Sequence, residues 1–451
     1  MEDLKQLVRD IFTHALADCS IPHAFDRVLH LEQAHLLVAD LPPIALDRLK
    51  HLRIVAAGKA AAPMLEALLD RLPLPADCDL SGVLIAPTQP RTLPVSIRYF
   101  PGGHPSPNQP SFDGASAALT AVREIADLPP DEALCLFLIS GGASSMMELP
   151  LDASISLDDT VAFHRELVHS GATIVEMNCV RKHFSAIKGG RLALAAGSAR
   201  RLTFLVSDVP PTHLDALASG PTLPDTTTVT ECREILARYS LLERFPASVR
   251  DFFSSTFPET PKPGELNSPF VTLLDSDEFA RTAAARAEAL GFHAIIDNSC
   301  DDWPFDRAAG HLLARLREAR LTHPRCCIVS TGEVSVRVPH FEKPAPHFDD
   351  SASHTGGRNQ HLALYLATLL RADDSPIAIL SAGSDGIDGN STAAGAVIDA
   401  RTVAENPGAA LRSLAAFDSG AWLAAHDAAI VTGPTGQNLR DLRILLADSG
   451  S

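Results

Sequence analysis

The sequence predicts an α/β protein of two domains, with a doubly wound parallel sheet over roughly the first 240 residues. Three observations carry this. Short apolar runs end in Gly-rich turns, most clearly where Ala133 to Ile139 flows into Ser140-Gly141-Gly142-Ala143-Ser144-Ser145. That run is too short to cross a membrane and suits a strand buried on both faces. Strand-like and helix-like stretches alternate with short links, as βαβ units do. Finally, residues 257 to 269 (FPETPKPGELNSP) carry four prolines and read as a linker between a domain over 1–256 and a second over 270–451.

Composition bounds the function classes. The 46% apolar and 21% charged content is that of an ordinary globular protein. A formal charge of −17 argues against a nucleic-acid surface and against anionic lipid. An anionic substrate must therefore be captured by local Lys and Arg. The eight cysteines are scattered, with no C-x-x-C and no Cys/His spacing typical of zinc, so they read as reduced core thiols.

Taken in order, Leu4, Leu7, Val8, Ile11, Phe12 and Ala15 recur at helical spacing without the continuous apolar region of a signal peptide. This predicts a surface-packed helix in a cytoplasmic protein. Leu52 to Ala57 reads as a strand, Gly58-Lys59 as a tight turn and Ala60 to Leu72 as a helix. A strand over Ser81 to Ala86 leads to a loop, Phe100 to Pro110 (FPGGHPSPNQP), too rich in Pro and Gly to be regular. A helix over Ser111 to Ile125 returns the chain to the strand at 133–139. Asp158 to Ala196 reads as helical with a break near Gly171. Leu202 to Val206 is a further strand, entering a turn-rich stretch from Val209 to Thr228. In the second domain the expected elements are strand Phe270 to Leu274, helix Asp277 to Leu290, strand His293 to Asp297, helix Phe305 to Arg320 and strand Cys326 to Ser330. An alternating stretch from Glu333 to Val338 suggests an antiparallel strand. Thr355 to Gln360 opens a helix through Leu370, Ile377 to Leu380 is a strand, and Ala428 to Val431 leads into Thr432-Gly433-Pro434-Thr435-Gly436. The final apolar stretch is strand or helix.

Several strand ends carry chemistry. The Gly-Gly loop at 140–145 directs backbone N–H groups outward at the carboxyl end of a strand, where open α/β sheets bind anions. Lys59 follows a strand and is either a phosphate cation or a solvated helix-start lysine. Arg358, after Gly356-Gly357, suits bidentate phosphate or carboxylate contact. Asp385 and Asp388 sit on a Gly-rich loop, as Mg²⁺ ligands or as a turn-ordering pair. Asp208 and Glu333 are further acids at strand ends, and His104 lies between Gly103 and Pro105. Arg181, Lys182, Lys188 and Arg191 form a basic segment beside Gly189-Gly190, read either as a solvated basic helix or, in so acidic a chain, as supplying one or two anion contacts. Together these features point to phosphoryl transfer, which needs positioning and charge neutralisation more than an activated nucleophile. Neither G-x-x-x-x-G-K-[ST] nor G-x-G-x-x-G occurs.

These loops resemble the glycerate 2-kinase family (class II glycerate kinases, formerly labelled hydroxypyruvate reductases), whose C-terminal part is the MOFRL domain, here at about residues 325–445. The resemblance rests on GKAA (58–61), GGHPSPN (102–108), SGGASS (140–145), NCVRKHFSAIKGGRLA (178–193), SDV (207–209), ASGPTLPDTTT (218–228), TGEVSV (331–336), GGRNQ (356–360), SDGIDGNSTAAGAVID (384–399) and GPTG (433–436). It implies an ATP- and Mg²⁺-dependent phosphorylation of the 2-hydroxyl of D-glycerate in a cleft between a Rossmann-like N-terminal domain and a mixed α/β C-terminal domain. The sequence leaves the oligomeric state open, a homodimer being one alternative. The resemblance further implies Lys59, Arg358 and Asp208 as catalytic groups and Ser140, Gly141, Gly142, Ser144, Lys188 and Gly189 as nucleotide contacts. His104, Asn178 and Arg181 would bind substrate, and Glu333, Asp385 and Asp388 would hold the metal. Other readings are a kinase of another small 2-hydroxy acid, a nicotinamide-dependent hydroxypyruvate reductase, and a ligand-binding relative without catalysis. The family pattern SGGGS is SGGAS here, which predicts a restricted backbone at Ala143.

Overall fold

The computed structural model describes residues 3–337 and 355–448. Two compact units result: Ile21–Leu273, and Met1–Ser20 together with Leu274–Ser451.

In the first unit a small antiparallel sheet, β1 (Leu29–Glu32), β2 (His35–Val38) and β3 (Ile44–Ala45), precedes the main sheet. Its strands are too short and too mixed in polarity to stand out in the sequence. The main sheet holds β4 (His51–Ala57), β5 (Asp79–Ile85), β6 (Ile97–Phe100), β7 (Ala133–Ser140), β8 (Arg200–Val206) and β9 (Phe270–Leu274), in the order β6-β5-β4-β7-β8-β9. Registers from β6 through β8 are parallel. All eight residues of β7 are buried, as its unbroken apolar run requires. From β4 the chain builds outward through β5 and β6 on one side, then returns to place β7 and β8 on the other. The crevice at the carboxyl ends of β4 and β7 is thus the switch point at which parallel sheets bind ligands.

Differences from the sequence reading have local causes. Ile97–Phe100 is an edge strand that takes in the first residue of the expected loop, and the helix Gln109–Arg123 begins early because Asn108 and Ser111 form a reciprocal cap at its N-terminus. The helical stretch over 158–196 breaks near Gly171 as expected and is interrupted a second time, giving Leu157–Val168, Ile174–Phe184 and Arg191–Leu194. Gly171 makes the first break at φ +83°; the second opens at Ser185, whose backbone is extended, and Gly189 and Gly190, at φ +59° and +81°, lead into the last helix.

The second unit carries β10 (His293–Ile296), β11 (Arg325–Gly332), β12 (Ile377–Gly383), β13 (Gly395–Asp399), β14 (Ala429–Ile430) and β15 (Asp441–Asp448), in the order β10-β11-β15-β12-β13-β14. Only β10 and β11 are parallel; the other pairs are antiparallel. The undecided last stretch is therefore β15, a central strand whose eight residues span the full length of β11. Glu333 to Val338 forms no strand among the described residues. Gly332, at φ +107°, turns the chain, the Asp301 carboxylate accepts the Glu333 N–H at 2.9 Å, and Ser335 makes a single parallel bridge to Pro304; Val338 lies outside the described residues. The first helix, Leu4–Asp18, buries Val8, Ile11, Phe12 and Ala15, with Phe12 against Phe279 of the helix Ser276–Ala289 at 6.4 Å between ring centres. All eight cysteines are free thiols and all but Cys78 are buried. No helix among the described residues is long and apolar enough to cross a membrane.

Candidate active site

The switch point is built from two turns tied to each other. The Lys59 N–H donates to Gly141 O at 2.9 Å and the Ala60 N–H to Ser140 Oγ at 3.0 Å. Gly58 has φ +120°, and a Cβ there would lie 2.4 Å from Ser140 Oγ, so only glycine lets the two turns approach. Ser140 is buried and its hydroxyl serves this tie. Gly141 passes so close to Asp208 that an added Cβ would lie 2.0 Å from Oδ2. Gly142 takes the left-handed position (φ +85°), flanked by Lys59 Cγ and His104 Cδ2. Ala143 therefore starts the short helix Ala143–Met146 with ordinary geometry and packs its methyl into the core. The backbone restriction expected from SGGAS does not arise.

Beside these turns lies a cavity of about 560 Å³ whose wall includes His104, Gly141, Gly142, Ser144, His164, Asn178, Arg181, Asp208 and Ser219. Its volume suits a small molecule. A hydrogen-bonded row runs along one wall: Ser144 Oγ to Ser219 Oγ at 3.0 Å, Ser219 Oγ donating to Asn178 Oδ1 at 3.1 Å, and Arg181 donating to the same oxygen at 3.4 Å. Ala218 and Ser219 hold φ of +53° and +58°, a strained conformation for non-glycine residues that sets Ser219 at the row's centre. Arg181 makes no ion pair with a carboxylate among the described residues, and its Nε is buried without a partner. Burial pushes its pKa down and the charge of Glu148 pulls it back up. A guanidinium in this state is a receptor for an anion. Burial, reinforced by Lys59, lowers the pKa of His104, so that ring favours its neutral form.

Lys188 faces a different partner. It is fully buried with its ammonium on Glu148, whose Oε2 also meets His164 Nε2 at 2.8 Å. Burial would raise the Glu148 carboxyl, but Lys188 and His164 bring it down to about 2. Gly189 turns the chain behind this pair, packed on Thr260. Sequence reasoning missed Glu148, His164 and Ser219. Ser219 lies in the quoted ASGPTLPDTTT segment, and its positive φ left no compositional trace, since Gly or Asn would be the usual signal.

In the second unit a cavity of about 640 Å³ includes Arg358, Asp385, Asp388 and Asp441 in its wall. Arg358 Nε donates to Asp441 Oδ2 at 2.6 Å and its terminal nitrogens to Asp441 Oδ1 at 3.2 Å and Glu333 Oε2 at 2.8 Å. Its charge is thus matched by two carboxylates. Asp441, also missed, opens β15, the stretch whose type the sequence left open. Burial raises the Glu333 carboxyl, against the pull of Arg358. Asp388 accepts the Asn359 and Gln360 N–H groups at 3.1 and 2.8 Å, capping the helix Arg358–Leu369 from a separate loop, and burial lifts its pKa to about 6. Asp385 is exposed and accepts the Ile387 N–H at 3.1 Å. Magnesium takes hard oxygen donors; Asp385 presents an exposed carboxylate, while Glu333 is held by Arg358 and Asp388 by two backbone N–H groups.

The comparisons with known proteins agree with this architecture. The model described as a domain of unknown function (DUF4147) matches residues 7–254, and the MOFRL family model matches 326–441. The chain is 35% identical to a putative hydroxypyruvate reductase of Agrobacterium vitis, over 87% of this chain and 98% of the relative. It is 32% identical to the D-glycerate 2-kinase of Thermotoga maritima over 90% and 92%, and 31% identical to the glycerate 2-kinase of Pyrococcus horikoshii over 88% and 87%. Among solved structures, the glycerate kinase of Thermotoga maritima superposes with a TM-score of 0.81 at 28% identity, covering 98% of this chain and 99% of that one. With both family models in chain order and kinases of this kind matching along nearly the whole length, the chain belongs to the glycerate 2-kinase family.

Proposed function

We propose that this protein is a kinase that transfers the terminal phosphoryl group of ATP to the 2-hydroxyl of D-glycerate, with Mg²⁺. The observation that carries the proposal is Arg181: a largely buried guanidinium with no carboxylate ion pair among the described residues, in the wall of the switch-point cavity that Asp208 also lines. In this reading Arg181 and Asn178 hold the substrate carboxylate and His104, neutral, orients a hydroxyl. Asp208 accepts the proton of the attacking 2-hydroxyl, and Lys59 neutralises charge on the transferring phosphoryl group. The N–H groups of the loop containing Gly142 and Ser144 contact nucleotide phosphate, while Ser140 holds the loop in place and Lys188 supports it from within the core. Asp385 is the proposed Mg²⁺ ligand, and the ion when bound supplies further neutralisation of phosphate charge. Arg358, fixed by Glu333 and Asp441, offers an oriented cation at the wall of the second cavity.

An ADP-release assay with D-glycerate tests the proposal, with ³¹P spectroscopy to distinguish the 2-phospho from the 3-phospho product. Absence of turnover with D-glycerate and with other short 2-hydroxy acids would overturn it. The name of the Agrobacterium relative raises a second reading, reduction of hydroxypyruvate. The turn after β4, Gly58-Lys59-Ala60-Ala61, lacks the three-glycine dinucleotide fingerprint, and consumption of NADH with hydroxypyruvate is the measurement that would favour it.

A further inference from the structure

The scattered cysteines hide one convergence. Cys179 and His183 lie one helical turn apart on Ile174–Phe184, and Cys232 projects from the neighbouring helix Val229–Arg238. All three are buried, and one ligand atom from each lies within 4.8 Å of the others; among the described residues no other group of three His, Cys, Asp or Glu side chains is this close. Cys179 Sγ is 4.0 Å from His183 Nδ1. Ligand atoms around tetrahedral zinc stand roughly 3.3 to 3.8 Å apart, from the usual metal–sulfur and metal–nitrogen lengths. A contraction of at most about 1 to 1.5 Å would therefore complete the geometry.

A second observation concerns how the ring is held. His183 Nδ1, the nitrogen that faces Cys179 Sγ, also donates to Cys179 O at 2.8 Å, a proton that a metal would displace. Nε2 lies 3.5 Å from Glu259 Oε2, an ion pair when the ring is protonated. A ligating imidazole is commonly oriented by a carboxylate on its other nitrogen, and Glu259 stands in that place while Nδ1 faces the thiol. Phe257 lies edge-on to His183. Access exists on the other side. A cavity of about 260 Å³ reaches Cys179 and Thr227, and the charged groups on its wall are Glu176, Glu231, Glu234 and Arg238, three acids to one base. Such a mouth favours entry of a cation.

We infer that Cys179, His183 and Cys232 form a binding site for a thiophilic divalent cation of the zinc class, with the fourth position open to the cavity at Thr227. Nothing in the kinase reading requires this site, which lies on a different pair of helices from the Gly141–Gly142 turn, so the two stand or fall separately. Binding would fasten the helix that carries Asn178 and Arg181 to its neighbour.

The test uses the full chain, reduced and stripped with chelator, then titrated with Co²⁺ alone. The expected result is a saturating stoichiometry of one ion per chain, intense near-ultraviolet sulfur-to-cobalt absorption, tetrahedral d–d bands, and displacement of both by Zn²⁺. Cys232→Ser and His183→Gln should abolish or shift these bands, while Cys78→Ser leaves them unchanged. Because the variants alter a core, the wild type supplies an independent readout: Zn²⁺ should protect Cys179 from alkylation, as located by mass spectrometry. A wild-type chain that shows no cobalt–thiolate absorption overturns the inference. So does a folded Cys232→Ser variant with the full spectrum, or a Cys179 alkylated at the same rate with and without Zn²⁺.

Discussion

A buried guanidinium without a carboxylate is tolerated where an anion arrives to complete it, and Arg181 meets that description. Arg181→Met should lower kcat/KM for the hydroxy acid by about tenfold to a hundredfold, the loss expected for charged hydrogen bonds, with thermal stability unchanged or increased; steady-state kinetics and a melting curve read both. Gly141→Ala is a sharper probe. The glycine is not left-handed, so the added methyl acts only through its contact at 2.0 Å with Asp208 Oδ2. Displacing the proposed base should cost about a hundredfold in kcat, with a native circular dichroism spectrum; full activity would remove Asp208 from the mechanism. At this scale the sequence showed which residue types stand at strand ends, as with Lys59 and Asp208. It did not show their pairings. Lys188 read as an anion contact because bases and Gly-Gly cluster there, yet its partner Glu148 comes from forty positions away. The Cys179–His183–Cys232 group was invisible for the same reason: two of its members share a helix turn and the third is on another helix.

Elements were legible where one physical signal dominated. β7 is a continuous apolar run, and the helix Leu4–Asp18 has clear periodicity. The 158–196 stretch shows what was not legible, since its second break runs from Ser185 to left-handed glycines whose role emerges only in contact with Thr260 and Leu223. Glu148 ties these pieces together, joining His164 on one helix to Lys188 after the next. Glu148→Gln should therefore destabilise the fold by about 3 to 5 kcal/mol at neutral pH, the usual cost of leaving a buried charge alone. The pH dependence has a definite sign. The folded carboxyl, at about 2, lies below its ordinary 4.5, so its contribution is complete above the ordinary value and fades as pH falls toward 2. The gap between wild type and variant in denaturant midpoint should shrink over that acid window. An unchanged gap would show that hydrogen bonding rather than charge carries the stabilisation.

On the scale of the whole molecule, the amphipathic first helix was predictable, but the unit it belongs to was not. Its apolar face fits a helix and strands encoded after residue 273, through Phe12 on Phe279 and an ion pair between Asp10 and Arg286 at 2.7 Å. Both tryptophans, Trp303 and Trp422, lie in that same unit, so their fluorescence reports its stability. Removal of residues 1–20 should move the fluorescence-detected denaturant midpoint to lower concentration; an unshifted midpoint would show that the helix contributes no stability. β15 has a related consequence during synthesis. β11 and β12 each need β15 as neighbour, yet both leave the ribosome before it is made. Until residue 448 emerges, the nascent second unit presents two open strand edges and a gap at its centre, while the parallel sheet of the first unit already has all its strands. The stretch from β11 to β15 is therefore the interval of greatest exposure to aggregation and to chaperone capture, and a ribosome stalled within it holds half an enzyme that cannot close.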